Sequence, residues 1–153
     1  MDEKQFNRLQ EAVQWATDDT RGEGTGAHWN QGHWFEGNIT GEVLPDGPLY
    51  WRGMAVMEVS CDSACCIAGQ VVLREGDRFV APNVNPDPTA TRRTVANCLT
   101  PDGVQPIYTR AMALLGITER EGEVLFDSDN GLEDVTLIAT NLAAKYGHTL
   151  TVI

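Results

Sequence analysis

The chain has 153 residues, 42% of them hydrophobic, with 22 acidic and 11 basic residues and a formal net charge of −11. That length suits a single domain spanning 1–153 with a real core, and no run approaches the ~18 apolar residues of a membrane span. The charge argues against nucleic-acid binding, which neutralises phosphates with Lys and Arg, and the carboxylates are too scattered for the aligned acidic face of a DNA mimic.

The opening Met1-Asp2-Glu3-Lys4-Gln5 is polar, so no secretory signal is expected. A cytoplasmic protein with reduced thiols follows as the default. Residues 2–17 predict an amphipathic helix, because Phe6, Leu9, Val13 and Ala16 recur at helical spacing. Residues 18–26 carry three glycines and predict a flexible loop.

Residues 27–53 show no sustained period. Trp29, Trp34, Phe35, Tyr50 and Trp51 sit among Gly, Asn and Pro there. Aromatics in such a segment either pin a long loop to the core or offer a contact surface. The run Met54-Ala55-Val56-Met57-Glu58-Val59 fits a short strand or a buried turn of helix.

Three of the four cysteines fall within Cys61-Asp62-Ser63-Ala64-Cys65-Cys66. Ser63 is placed to cap a helix running to about Glu75, with Gly76 as its stop. Small residues Ala64, Ala68 and Gly69 would let another element approach closely. Residues 77–101 hold four of the seven prolines in or at the end of the stretch, which predicts an irregular segment.

The last third is strongly helical. Pro106 suits a first turn, and Ile107, Tyr108, Ala111, Leu114 and Leu115 follow at helical spacing up to Gly116. Thr118-Glu119-Arg120-Glu121 has the form of a capping box before Val124, Leu125 and Phe126. Ser128, Asp129 or Asn130 would cap a final helix with the stripe Leu132, Val135, Ile138, Ala139, Leu142 and Tyr146, ended by Gly147. The alternating tail 149–153 suits an edge strand. These features predict a mainly α fold: one compact domain of about five helices, a long aromatic-rich irregular connection, and room for a short strand or two.

Three segments, in order, resemble a group of small uncharacterised proteins of actinobacteria and their bacteriophages. The first is Trp29-Asn30-Gln31-Gly32-His33-Trp34, similar to an aromatic-Asn-x-x-x-Trp segment. The second is the cysteine run, similar to Cys-Gly-Thr-x-x-Cys-x-Ala-Gly-x. Cys61, Ser63, Cys66, Ala68 and Gly69 fall in its register. The third is Ala113-Leu114-Leu115-Gly116-Ile117-Thr118 with Leu125-Phe126 and Asn130, which resembles a Leu-Gly-Leu-Thr helix pair. Asp62 departs from the pattern at its Gly, and Gln70 stands where an aromatic often follows Ala-Gly. The resemblance implies a phage or actinobacterial origin. It also leaves Cys65 unmatched and expected to tolerate change.

Several chemistries compete for these residues. Zinc wants about four ligands in tetrahedral array, and His28, His33, Cys61, Cys65 and Cys66 are the candidate set, with Cys98 and His148 further off. Their spacing lacks the Cys-x-x-Cys knuckle, and buried cysteines often act as small hydrophobes. A nucleophile at Cys65 or Cys66 would gain from a helix N-terminus, with His33 or His148 as base, but Glu58 and Asp62 would oppose the thiolate. A Cys61–Cys66 disulfide is disfavoured by the reducing default. Asp127-Ser128-Asp129-Asn130-Gly131 lacks a calcium loop's glycine at the sixth position, where Leu132 stands. The helix pair around Gly116 has the outline of a helix-turn-helix, yet Glu119, Glu121 and Glu123 would repel phosphate.

The sequence thus favours a non-enzymatic, phage-encoded interaction protein that binds and modulates a host protein in the host cytoplasm. No catalytic residue, nucleic acid or membrane is expected. Trp29, Trp34, Phe35, Tyr50 and Trp51 are the candidate contact residues, and Cys61, Ser63, Cys66 and Gly69 a structural junction. The alternative is a small metal-binding or cysteine-dependent enzyme built on Cys61–Cys66, with zinc as its metal.

Overall fold

The computed structural model describes residues 1–24, 26–44, 54–81 and 91–153. Tyr50 and Trp51 lie outside them. Helix α1 (Glu3–Thr20) starts at a capping box in which Asp2 accepts from the Gln5 backbone N–H and the Gln5 side chain accepts from that of Asp2. It buries Leu9, Ala12, Val13, Trp15 and Ala16. It also runs through Asp18, Asp19 and Thr20, where the glycine-rich loop was expected to begin.

Four more helices follow: α2 (Ile67–Arg74), α3 (Ile107–Leu115), α4 (Glu119–Leu125) and α5 (Leu132–Lys145). Helix α3 ends at Gly116, whose φ of 63° is the left-handed conformation that glycine adopts without strain. Thr118 and Glu121 form the expected capping box of α4. Gly131, one residue later than expected, caps α5, and Asp134 accepts its N–H. The Asn130 amide instead donates to the Val124 and Leu125 carbonyls and closes α4.

The described residues also form eight strands: β1 (His28–Trp29), β2 (Phe35–Val43), β3 (Ala55–Met57), β4 (Ala64–Cys65), β5 (Arg78–Ala81), β6 (Arg92–Val95), β7 (Asn97–Thr100) and β8 (Gly103–Pro106). The fold is therefore α/β with a large mixed sheet, and the expectation of a mainly α domain is corrected. The 77–101 stretch, expected to be irregular, supplies β5, β6 and β7.

Strand β2 organises the sheet. Its first residues pair with β4 on one side and β6 on the other, and its later residues pair with β3. From β3 the ladder passes to β5, β7 and β8. The segment 92–100, interrupted only at Ala96, pairs with β2 through its first half and with β5 through its second. The order β2-β3-β5-β7/β6-β2 therefore curls back on itself.

Side chains alternate across these strands as the pleat requires. Phe79 and Ala81 face the main core, and Val80 faces a second small cluster with Leu44 and Val56. Phe35 stacks on Phe79, with ring centroids 4.1 Å apart. Helix α1 lies against α2, α3 and α5, and the helices close the core over the Phe35–Phe79 face. Among the described residues no helix is long and apolar enough to cross a membrane.

Candidate functional site

The cysteine run forms a junction of backbone contacts. Strand β1 runs parallel to β4. The His28 N–H donates to the Ser63 carbonyl at 2.8 Å, the Asn30 N–H to that of Cys65 at 2.9 Å, and the Cys66 N–H to that of His33 at 2.7 Å. Helix α2 begins at Cys66 with no side-chain cap of its own. The Gln31 carboxamide serves there instead, accepting from the Ile67 N–H at 3.4 Å and donating to the Leu125 carbonyl at 3.0 Å. Ser63 does not cap the helix. Its hydroxyl donates to the Glu58 carbonyl and accepts from the Ser60 N–H, tightening the turn before β4.

All three segments that carry the resemblance thus meet at one place. Trp34 also packs edge-on against Tyr108 and Phe126, with centroids 5.8 and 6.3 Å away. Phe35, read above as a contact candidate, is fully buried and closed to any partner. Trp29 is half-buried against the main core, and its indole N–H is buried without an acceptor among the described residues.

The buried thiols sit in surroundings hostile to nucleophilic chemistry. Cys61 is exposed, while Cys65, Cys66 and Cys98 are buried, and all four are free. Burial pushes the Cys65 thiol well above its ordinary range, and pushes Cys66 up to about 11. Burial raises Cys98 to about 11 as well. The imidazoles are turned elsewhere: His28 Nδ1 lies 2.8 Å from Asp19 Oδ1, His33 Nε2 lies 3.2 Å from Glu36 Oε2, and His148 stacks on Phe6. Among the described residues no three of His, Cys, Asp and Glu gather into a group able to hold a metal ion. His28, His33, Cys61, Cys65 and Cys66 are not brought together as ligands.

A different site was missed in the sequence. Between α1 and α2 lies a cleft of about 730 Å³. Helix α1 supplies its floor, α2 one wall, and the tail residues Thr151 and Ile153 the other. The tail forms no strand among the described residues, so the expected edge strand is absent. Gln10 Oε1 accepts the Thr151 N–H at 3.3 Å, and Gln14 Oε1 accepts the Ile153 N–H at 2.9 Å. Gln14 Nε2 and Arg21 Nη1 donate to the Ile153 oxygen at 3.0 and 2.7 Å. Leu150 and Val152 pack against the main core.

The turn after α1 closes one end of the cleft. The Glu23 N–H donates to the Asp18 carbonyl at 2.9 Å. A Cβ on Gly24 would stand 2.9 Å from the Asp19 Cα, so only glycine fits there. On the wall formed by α2, Arg74 pairs with Glu11 at 3.1 Å. Beside it Gln70 is only 6% exposed. Its Oε1 is met by the Cys65 thiol at a long 4.0 Å, and its amide nitrogen has no acceptor among the described residues. That nitrogen is not among the buried polar atoms left without a partner, so it is open to the solvent of the cleft.

Two signals in the sequence pointed here. Gln10, Gln14 and Asp18 recur every fourth residue on α1, beside the apolar stripe. Gln70 is the one polar side chain in the run Ile67-Ala68-Gly69-Gln70-Val71-Val72-Leu73. Neither family models, curated proteins nor solved structures give a match to this chain, so its function rests on these residues alone.

Proposed function

We propose that this chain is an interaction protein that binds another protein through the α1–α2 cleft and modulates it without catalysis. The observation that carries this reading is the Gln70 carboxamide, which lines the cleft with its amide nitrogen free of any acceptor among the described residues. That donor is open to water, and a ligand's acceptor would take the water's place. The setting that the resemblance implies is a phage-encoded factor acting on a protein of its host, in the host cytoplasm.

The alternative, a metal-binding or cysteine-dependent enzyme at Cys61–Cys66, has less support. At neutral pH the buried thiols stay protonated, and the thiolate is the form that attacks or ligates. The aromatic residues support the interaction reading less than the sequence suggested, since Phe35 is internal and Trp34 is engaged by Tyr108 and Phe126.

The test is affinity capture from an actinobacterial host lysate with the tagged full chain and with Gln70→Met. The reading expects a specific partner that the wild type retains and the folded variant loses. Capture that is equal for both, or absent for both, overturns it.

A further inference from the structure

We infer that the occupant of the cleft is an extended peptide segment carrying a basic side chain, held at its main-chain amides by glutamine carboxamides. This rests on the reading that the cleft binds a protein.

The chain's own tail shows the mode of recognition. Gln14 takes the N–H of Ile153 with its oxygen and gives its amide N–H to the Ile153 oxygen. A carboxamide offers both a donor and an acceptor, which is what a main-chain amide presents. Gln10 repeats the contact two residues earlier in the tail, at Thr151. One turn of α1 separates the two glutamines, and two residues separate the two amides they read. On the opposite wall Gln70 presents the same group without a comparable partner. An extended segment entering between the tail and α2 would meet Gln70 as the tail meets Gln14. The cleft's volume falls in the range typical of ligand sites.

Charge sets the preference among peptides. Of the two cations in the lining, Arg74 is paired with Glu11, while Arg21 is hydrogen-bonded to the Ile153 oxygen and keeps its charge. Asp18 spends one carboxylate oxygen on the Gln14 amide, and the Glu23 side chain has no partner among the described residues. Free negative charge therefore remains at the mouth of the cleft, on a chain of net charge −11. Lys or Arg is attracted there and Asp or Glu repelled. The lining's three carboxylates, Glu11, Asp18 and Glu23, outnumber its two guanidiniums, Arg21 and Arg74.

The experiment uses the full chain and fluorescein-labelled hexapeptides, acetylated and amidated, in two pools. One pool fixes Lys or Arg at the central position and the other fixes Glu, with the remaining positions mixed. Fluorescence anisotropy is read at low and high salt. The inference expects the basic pool to bind at least tenfold tighter than the acidic pool, with a loss of affinity in salt. Gln70→Met should weaken that binding about fivefold or more, and Asp18→Asn with Glu23→Gln should remove the preference between pools.

Equal binding of both pools, no binding of either, or basic binding unchanged in Gln70→Met overturns it. If host-lysate capture still depends on Gln70 while the pools are not discriminated, the cleft binds a protein by another chemistry and only this inference falls. If capture shows no dependence on Gln70, the proposed function falls with it.

Discussion

Gly69 lies directly against the carbonyl of Trp34. A Cβ added to Gly69 would stand 2.1 Å from the Trp34 oxygen and 2.7 Å from the Cys65 Cβ. Neither neighbour is the free end of a flexible side chain. The carbonyl belongs to the segment leading into β2, and Cys65 is held in β4 between β1 and β2. Gly69→Ala must therefore separate α2 from the sheet. The expected loss is about 3 kcal/mol or more, the upper end for forcing volume into a packed site. Urea unfolding followed by circular dichroism reads it, and a loss below about 1 kcal/mol would show that the junction yields.

The capping box of α4 ties two helices together and should impose a pH dependence. Glu121 accepts from the Thr118 N–H at 2.8 Å, the Lys145 ammonium at 2.5 Å and the Tyr146 hydroxyl at 3.0 Å. Burial alone would raise its pKa, but the hydrogen bonds from Lys145, Thr118 and Tyr146 outweigh burial and lower it from 4.5 to about 2. A carboxylate with a depressed folded-state pKa stabilises the fold above its unfolded pKa. That contribution is lost as pH falls through the window from about 4.5 to about 2. Glu121→Gln should be less stable than wild type at pH 7, and the difference should shrink by pH 3. Paired urea melts at the two pH values check this. A constant difference would mean that Glu121 acts through packing.

Thiol accessibility separates Cys61 from the other three. Cys61 is exposed and Cys65, Cys66 and Cys98 are buried. Ellman's reagent at pH 8 should label one thiol per native chain quickly and the rest only on unfolding. Cys61→Ser should remove the fast phase and change stability by no more than about 0.5 kcal/mol. Cys65, expected from the resemblance to tolerate change, has no exposed surface, so Cys65→Ser should cost more than Cys61→Ser by burying a hydroxyl.

The helices were legible in the sequence because each shows a period of 3.6 over two or more turns, and Thr118-x-x-Glu121 announced its capping box. The strands were not. Most run two to four residues, too short for alternation to register. Strand β2 is long enough, and Phe35, Gly37, Ile39 and Val43 do alternate with Glu36, Asn38, Thr40 and Glu42. Gly37, which is buried, hid the pattern by reading as a loop residue. Pro101 on its own reads as a breaker, although Pro101-Asp102-Gly103 between apolar runs signals a hairpin, and it joins β7 to β8. The cleft was hidden for another reason. Gln10 and Gln14 look like ordinary solvent-facing residues until the tail lies beside them, and that contact spans some 140 residues of chain.

Gln70 is where stability and binding should part. A carboxamide retained for the fold would make both of its hydrogen bonds inside the protein, and its loss would lower stability. Here the amide nitrogen is unmatched and the oxygen meets only a thiol at 4.0 Å. Gln70→Met keeps the length of the side chain and removes the buried polar group. The variant should therefore stay within about 1 kcal/mol of wild-type stability, read from its guanidinium midpoint at unchanged slope. The same change should weaken ligand capture, because the acceptor and donor offered to the ligand are gone. A group selected for packing moves stability and binding in the same direction when replaced. Weakened binding at unchanged stability would mark Gln70 as a residue kept for what it binds, and a destabilised Gln70→Met would assign it to the core instead.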